Sequence, residues 1–137
     1  MKNLNKNNRV VRYGQRLVDR ISYYEGLEPV RLEVKGIRGG GRACYRTRRI
    51  TVPEWACRNK YYFTYYAIHE ILHFAFMGQG HSKAFKKREF ETLKHYGIII
   101  KYNRAYPNHL EDLEGNTICG RGGKGGKEED RLIKEVI

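Results

Sequence analysis

The sequence predicts an α+β domain: an N-terminal helix, a small antiparallel sheet or hairpin, a helix carrying H-E-x-x-H, and one further helix. Three observations predict it. Apolar residues recur at helical spacing from Asn8 to Tyr24, and a second apolar helical stretch runs from Lys60 to Phe76. Between them, from Val30 to Val52, the apolar period drops to two. After them, Ser82 and Gly97 bracket a third helical segment as start and stop signals. The domain is expected over residues 1–102, with 103–137 as a C-terminal extension.

The first helix places Val10, Val11, Leu17, Val18 and Ile21 on one face and closes at Gly26 and Pro29. Arg9, Arg12, Arg16 and Arg20 fall at steps of three and four and form a cationic stripe along it. Val30, Leu32 and Val34 then alternate with Arg31, Glu33 and Lys35, which reads as a half-buried strand. The glycine-rich run Gly36 to Gly41 reads as a loose turn, and it does not satisfy the phosphate-loop pattern. A second strand is expected from Ala43 to Val52, ended by Pro53 and pairing with the first as a hairpin with one apolar and one basic face. Trp55 reads as a core anchor.

The helix from Lys60 to Phe76 opens on Tyr61, Tyr62, Phe63, Tyr65 and Tyr66, a band dense enough that some rings are expected to be exposed. A helix from Lys83 to Tyr96 follows, capped by Ser82, with Phe85, Phe90, Leu93 and Tyr96 on its apolar face. Lys83, Lys86, Lys87 and Arg88 crowd its first turns against the helix dipole and point to an acidic partner passing nearby. Ile98 to Ile100 reads as a short buried strand or the start of an apolar loop. His95 and His109 lack partners at ligand spacing and read as surface residues. From Asn103 onward the periodicity is lost; Gly120 to Lys127 reads as a flexible basic segment, and Glu128 to Ile137 as a short terminal helix.

The chemistry concentrates in the third of these elements. In H-E-x-x-H, His69 and His73 lie four apart and so share one face of the helix, where one divalent ion can take a nitrogen from each. Glu70 is one residue round from His69, close to such an ion without binding it, as required of a base that takes a proton from an activated water. Gly78 and Gly80 let the chain turn back, so that His81 can supply a third ligand. Glu89 and Glu91 on the next helix are rival third ligands. Three protein ligands and one open position make a catalytic rather than a structural zinc site.

Composition narrows the setting. The 137 residues fit one domain with a real core. No apolar run of membrane-spanning length is present, and the basic, polar start lacks the apolar core of a secretory signal, so no membrane association is expected. Three cysteines, Cys44, Cys57 and Cys119, form no C-x-x-C pair and suit a reducing cytoplasm. The formal charge of +12 is uneven: residues 1–60 hold 15 Lys/Arg against 5 Asp/Glu, and the rest 12 against 10. That imbalance points to DNA or another nucleic acid as partner, held through basic residues between 9 and 60.

HEILHFAFMGQGHSKAF (residues 69–85) resembles the SprT-like zinc metalloprotease domain, in which H-E-x-x-H is followed by a glycine-containing loop and then H-G/S-x-x-F. The similarity covers roughly Val30 to Gly97, with YRTRRITVPEW (residues 45–55) resembling the strand before the active-site helix. The resemblance implies a minimal zincin-like fold, one catalytic Zn2+ on His69, His73 and His81, and Glu70 as general base. It favours His81 over Glu89 and Glu91 because the H-S-x-x-F pattern surrounds His81, and it implies that Phe85 anchors the following helix. It also implies that an extended substrate adds to the open edge of the 45–55 strand. Many SprT-like proteins add a zinc ribbon of two C-x-x-C pairs; this chain has none, so no second zinc is expected.

The function expected is therefore a zinc-dependent endopeptidase acting on nucleic-acid-associated proteins, of the kind that SprT-like domains cleave from DNA. Two rivals stay open. A YbeY-like zinc nuclease also uses three histidines, but its motif lacks a glutamate at the position of Glu70. A nucleic-acid-binding module with a purely structural metal would show salt-sensitive binding and no hydrolysis.

Overall fold

A computed structural model describes residues 8–36, 40–101 and 109–118, with side chains from Val11 onward. The predicted terminal helix, the basic Gly/Lys segment, Cys119 and the side chain of Arg9 lie outside the described residues. The fold is α+β. Helix α1 (Asn8–Tyr24) leads into strands β1 (Arg31–Lys35), β2 (Arg42–Cys44) and β3 (Arg49–Pro53). A 3-10 helix (Glu54–Arg58) joins these to α2 (Lys60–Ala75), which is followed by α3 (Lys83–His95), β4 (Ile98–Lys101) and β5 (His109–Asp112).

The helices form where the sequence places them, for local reasons. Asn59 caps α2, its Oδ1 accepting from the backbone of Tyr61 at 2.8 Å and Tyr62 at 3.2 Å. Ser82 Oγ accepts from the Phe85 N–H at 3.2 Å and starts α3. On α1, Leu17, Val18 and Ile21 are buried as their spacing requires. The aromatic band is more deeply set than expected: Phe63, Tyr65 and Tyr66 are buried, and Tyr61 and Tyr62 half-buried. Trp55 packs edge-on against Tyr66, with ring centroids 5.6 Å apart.

The sheet departs from the expected hairpin. Its order is β1-β3-β2, with β1 parallel to β3 and only β2 antiparallel to it. The single strand expected from Ala43 to Val52 is two strands folded on each other through Tyr45–Arg48, where Arg48 takes the left-handed conformation (φ 49°). That turn contains no Gly, Pro, Asn or Asp, so nothing in its composition announces it. Alternation reports which face of a strand is buried, and is silent on which neighbour it pairs with.

The topology decides which edge of the sheet is open. β3 is paired on both sides, so the strand preceding α2 has no free edge. On β1, the Gln15 side chain of α1 accepts from the Leu32 N–H at 2.7 Å and donates to the Val30 carbonyl at 2.8 Å, occupying two backbone groups at the start of that edge. The short strand β2 forms the opposite edge. The buried faces of the sheet, with Leu32, Val34, Ile50 and Val52, meet α1 and α2 in one core.

Beyond α3, Ile98–Lys101 resolves as a strand, pairing antiparallel with β5. β5 was not anticipated: His109-Leu110-Glu111-Asp112 offers a single apolar residue, Leu110, which is fully buried. His109 is half-buried and 3.1 Å from Glu111, whereas His95 is exposed and stacks on Tyr24. On α3, Phe85 and Leu93 are buried but Phe90 is exposed; Glu89 and Thr92 take the inward positions instead.

Candidate metal centre

His69 and His73 project from one face of α2, one turn apart, near its C-terminal end. The helix stops at Ala75, and the chain reverses through Gly78 (φ 80°) and Gly80 (φ 60°), a conformation that a side chain would strain. His81 follows at once, held by the Ser82 cap that begins α3. Phe85, fully buried one turn into α3, lies with its ring centroid 5.2 Å from His69, 4.8 Å from His73 and 5.1 Å from His81. One aromatic ring thus forms an apolar floor beneath all three imidazoles.

Ligand nitrogens of His69, His73 and His81 lie within 4.8 Å of one another. The Nε2 atoms of His69 and His81 are 3.1 Å apart. Two nitrogens on one tetrahedral zinc ion, each about 2.0–2.1 Å from it, stand about 3.3 Å apart. The three histidines are close enough to bind a metal, and their donor set suits one.

Glu89 lies on the other side of His69. Its Oε2 is 2.6 Å from His69 Nδ1, and the residue is only 1% exposed. It therefore backs a histidine rather than joining the three nitrogens. Glu91, half-exposed at its side chain and 3.8 Å from Arg88, lies outside the cluster. The inward position of Glu89 had a signal in the sequence: it is one helical turn from Phe85, the residue expected to anchor α3.

Glu70, 5% exposed, lies against Gly41, the residue just before β2. A Cβ at residue 41 would stand 3.0 Å from both Cγ and Oε2 of Glu70. The glycine run read as a loose turn thus ends in a close contact with the glutamate of the motif.

The electrostatics follow from burial and mutual charge. Burial pushes the Glu70 carboxyl up to about 7, against the pull of His69 and with the help of Glu89. Burial, reinforced by the charges of His69 and His81, depresses His73 to about 4. His81 is lowered by burial and by His69. Burial also works against a charged His69, but the hydrogen bond and charge of Glu89, with Glu70 behind them, outweigh it and hold this histidine above its ordinary value. His73 and His81 are thus neutral at pH 7, the form that binds metal.

The basic residues gather elsewhere. Arg12 and Arg16 of α1, Arg31 of β1 and Arg48 of the turn line an open groove of about 770 Å³ between α1 and β1. Arg48 donates to the carbonyls of Glu28 and Pro29, and its guanidinium covers the ring of Phe74, the neighbour of His73 in sequence. Arg20, the last residue of the expected stripe, does not line this groove. No helix among the described residues is long and apolar enough to cross a membrane.

Compared with protein-family models, curated proteins and solved structures, the chain matches none.

Proposed function

We propose that this protein is a zinc-dependent endopeptidase of SprT-like type, with His69, His73 and His81 as the residues that would hold the ion. The observation that carries this reading is the convergence of three histidine nitrogens within 4.8 Å beside a glutamate that is 5% exposed. A buried carboxylate is costly unless it has a partner or a task. When bound, zinc supplies a Lewis acid that polarises a carbonyl and makes water acidic near neutral pH.

The rest falls to the chain. The Glu70 carboxylate takes the proton of the attacking water as its oxygen bonds to the scissile carbonyl carbon. Glu70 then returns that proton to the amide nitrogen as the C–N bond breaks. Without metal, burial holds this carboxyl near 7, and a bound cation would bias it toward the base form that takes the proton. The substrate backbone pairs with the edge strand β2, because Gly41, just before that strand, lies against Glu70.

The arginine groove is proposed to hold a nucleic-acid backbone, so that substrates are proteins bound to the same strand. The free thiols of Cys44 and Cys57 suit the reducing cytoplasm proposed as its location.

Casein hydrolysis by the zinc-loaded protein tests the enzymatic reading, with chelator and with Glu70→Gln. Both should abolish cleavage, the variant while retaining zinc; activity surviving in Glu70→Gln removes the mechanism. RNA and DNA incubated in parallel separate a peptidase from a nuclease. Fluorescence titration of labelled DNA at several salt concentrations tests the groove, where loss of Arg12 and Arg16 should flatten the salt dependence.

A further inference from the structure

Resting on the three-histidine reading, we propose that Glu89 is a positioning residue for the metal: it accepts the Nδ1 proton of His69 and so locks that ring in the tautomer whose Nε2 faces His81. The two contacts sit on opposite sides of one imidazole. Nδ1 is 2.6 Å from Glu89 Oε2, and Nε2 is 3.1 Å from the Nε2 of His81. A neutral imidazole carries one proton, and with that proton on Nδ1 the Nε2 lone pair is free for a ligand bond.

Glu89 is well placed to impose this choice. It is 1% exposed, on a helix whose first turn is fixed by the Ser82 cap and by Phe85 beneath the histidines. Without Glu89, the His69 ring could flip or shift its proton to Nε2, and either change removes one of three ligands. His73 and His81 have no such backing carboxylate among the described residues. The effect on metal affinity should therefore come through His69 alone. In sequence terms, the site is H-E-x-x-H, a histidine eight residues on, and a glutamate eight residues beyond that.

The test combines zinc affinity with a direct view of the tautomer. Zinc dissociation constants are measured by chelator competition for the wild type, Glu89→Gln and Glu89→Ala, and for Glu91→Gln as a control on the same helix. Long-range 1H–15N spectra of the imidazoles are recorded on each metal-free protein at pH 8. The wild type should show His69 protonated on Nδ1. Glu89→Ala should lose that preference and bind zinc about 10–100-fold more weakly. Glu89→Gln keeps an acceptor of the same size, so it should keep the tautomer, lose less affinity, and serve as the folded variant if the alanine protein unfolds. Wild-type zinc affinity in both variants, or an unchanged tautomer in Glu89→Ala, overturns the proposal. A wild type that shows the pinned tautomer yet takes up no zinc overturns it too, through the three-histidine reading rather than through Glu89.

Discussion

Gly41 lies against Glu70 so closely that a Cβ there would be 3.0 Å from the carboxylate and 2.6 Å from the backbone carbonyl of Thr51. The second contact is with backbone of the adjacent strand, which cannot swing away. Gly41→Ala should therefore shift either β2 or Glu70, and both belong to the proposed peptidase site. Peptide hydrolysis is expected to fall about 10–100-fold with zinc content unchanged. Turnover at the wild-type rate, with metal analysis alongside, would show that the contact has no bearing on catalysis.

The raised pKa of Glu70 carries a stability signature. Below about pH 4.5 the group is protonated in both folded and unfolded chains. From there to about 7 the folded protein keeps a proton that the unfolded chain has lost, so its stability falls as pH rises. Above 7 the full cost of a buried charge is present, at most about 3 kcal/mol. Glu70→Gln has no charge to bury. With chelator present, urea melts should find the variant more stable than wild type at pH 8, the difference closing toward pH 4.5. A constant difference across that range contradicts the assignment. The attraction between Glu70 and His69, lost in the variant, is already included in the raised value of Glu70.

His81 is the exposed member of the three clustered histidines and arrives from outside α2. His81→Ala should weaken zinc binding by more than the roughly 10–100-fold typical of outer-shell partners. His95→Ala, which removes a ring stacked on Tyr24 at 4.3 Å, should leave affinity unchanged. Equal affinities in the two variants would send the search for a third ligand elsewhere.

Glu25, one residue past α1, is tied to α3 by a part-buried ion pair. The Glu25 side chain, 4% exposed, accepts from Arg88 Nε at 2.8 Å and from Thr92 Oγ1 at 2.5 Å, whereas the Arg88 side chain is 36% exposed. Losing either partner is therefore unequal. Arg88→Ala leaves a buried carboxylate with the Thr92 hydroxyl alone and should cost about 2–3 kcal/mol. Glu25→Gln leaves a guanidinium that can reach water and should cost nearer 1 kcal/mol. Denaturant titrations of the two variants check the order; the reverse ranking would place the main role of Glu25 elsewhere.

What the sequence made legible was whatever is encoded locally. The capping residues Asn59 and Ser82 and the apolar faces of α1 and α2 place the helices, and the H-E-x-x-H spacing places His69 and His73 without further help. Long-range pairing was not legible. Alternation in β1 and β3 identifies Leu32, Val34, Ile50 and Val52 as inward residues, but parallel and antiparallel neighbours bury the same faces. β5 escaped because it buries one apolar residue, Leu110, which leaves no alternation to read. Glu89 stands in the sequence only as a rival third ligand, because its contact is with a partner twenty residues away, His69, which no local pattern reports.

The middle position of β3 also bears on how the chain reaches this fold. Its antiparallel partner β2 is four residues away, through the turn at Tyr45–Arg48, while its parallel partner β1 precedes it by 18 residues in register. Closing the short loop costs less chain entropy than closing the long one. The β2–β3 hairpin is thus expected to nucleate, with β1 and its companion α1 docking afterwards. Folding kinetics would register this as φ-values high for substitutions near Thr47 and low at Leu32; the opposite pattern would mean that the parallel pair forms first. On that order of events, the edge beside Glu70 is built before the arginine groove exists, because the groove needs α1 and β1 in place.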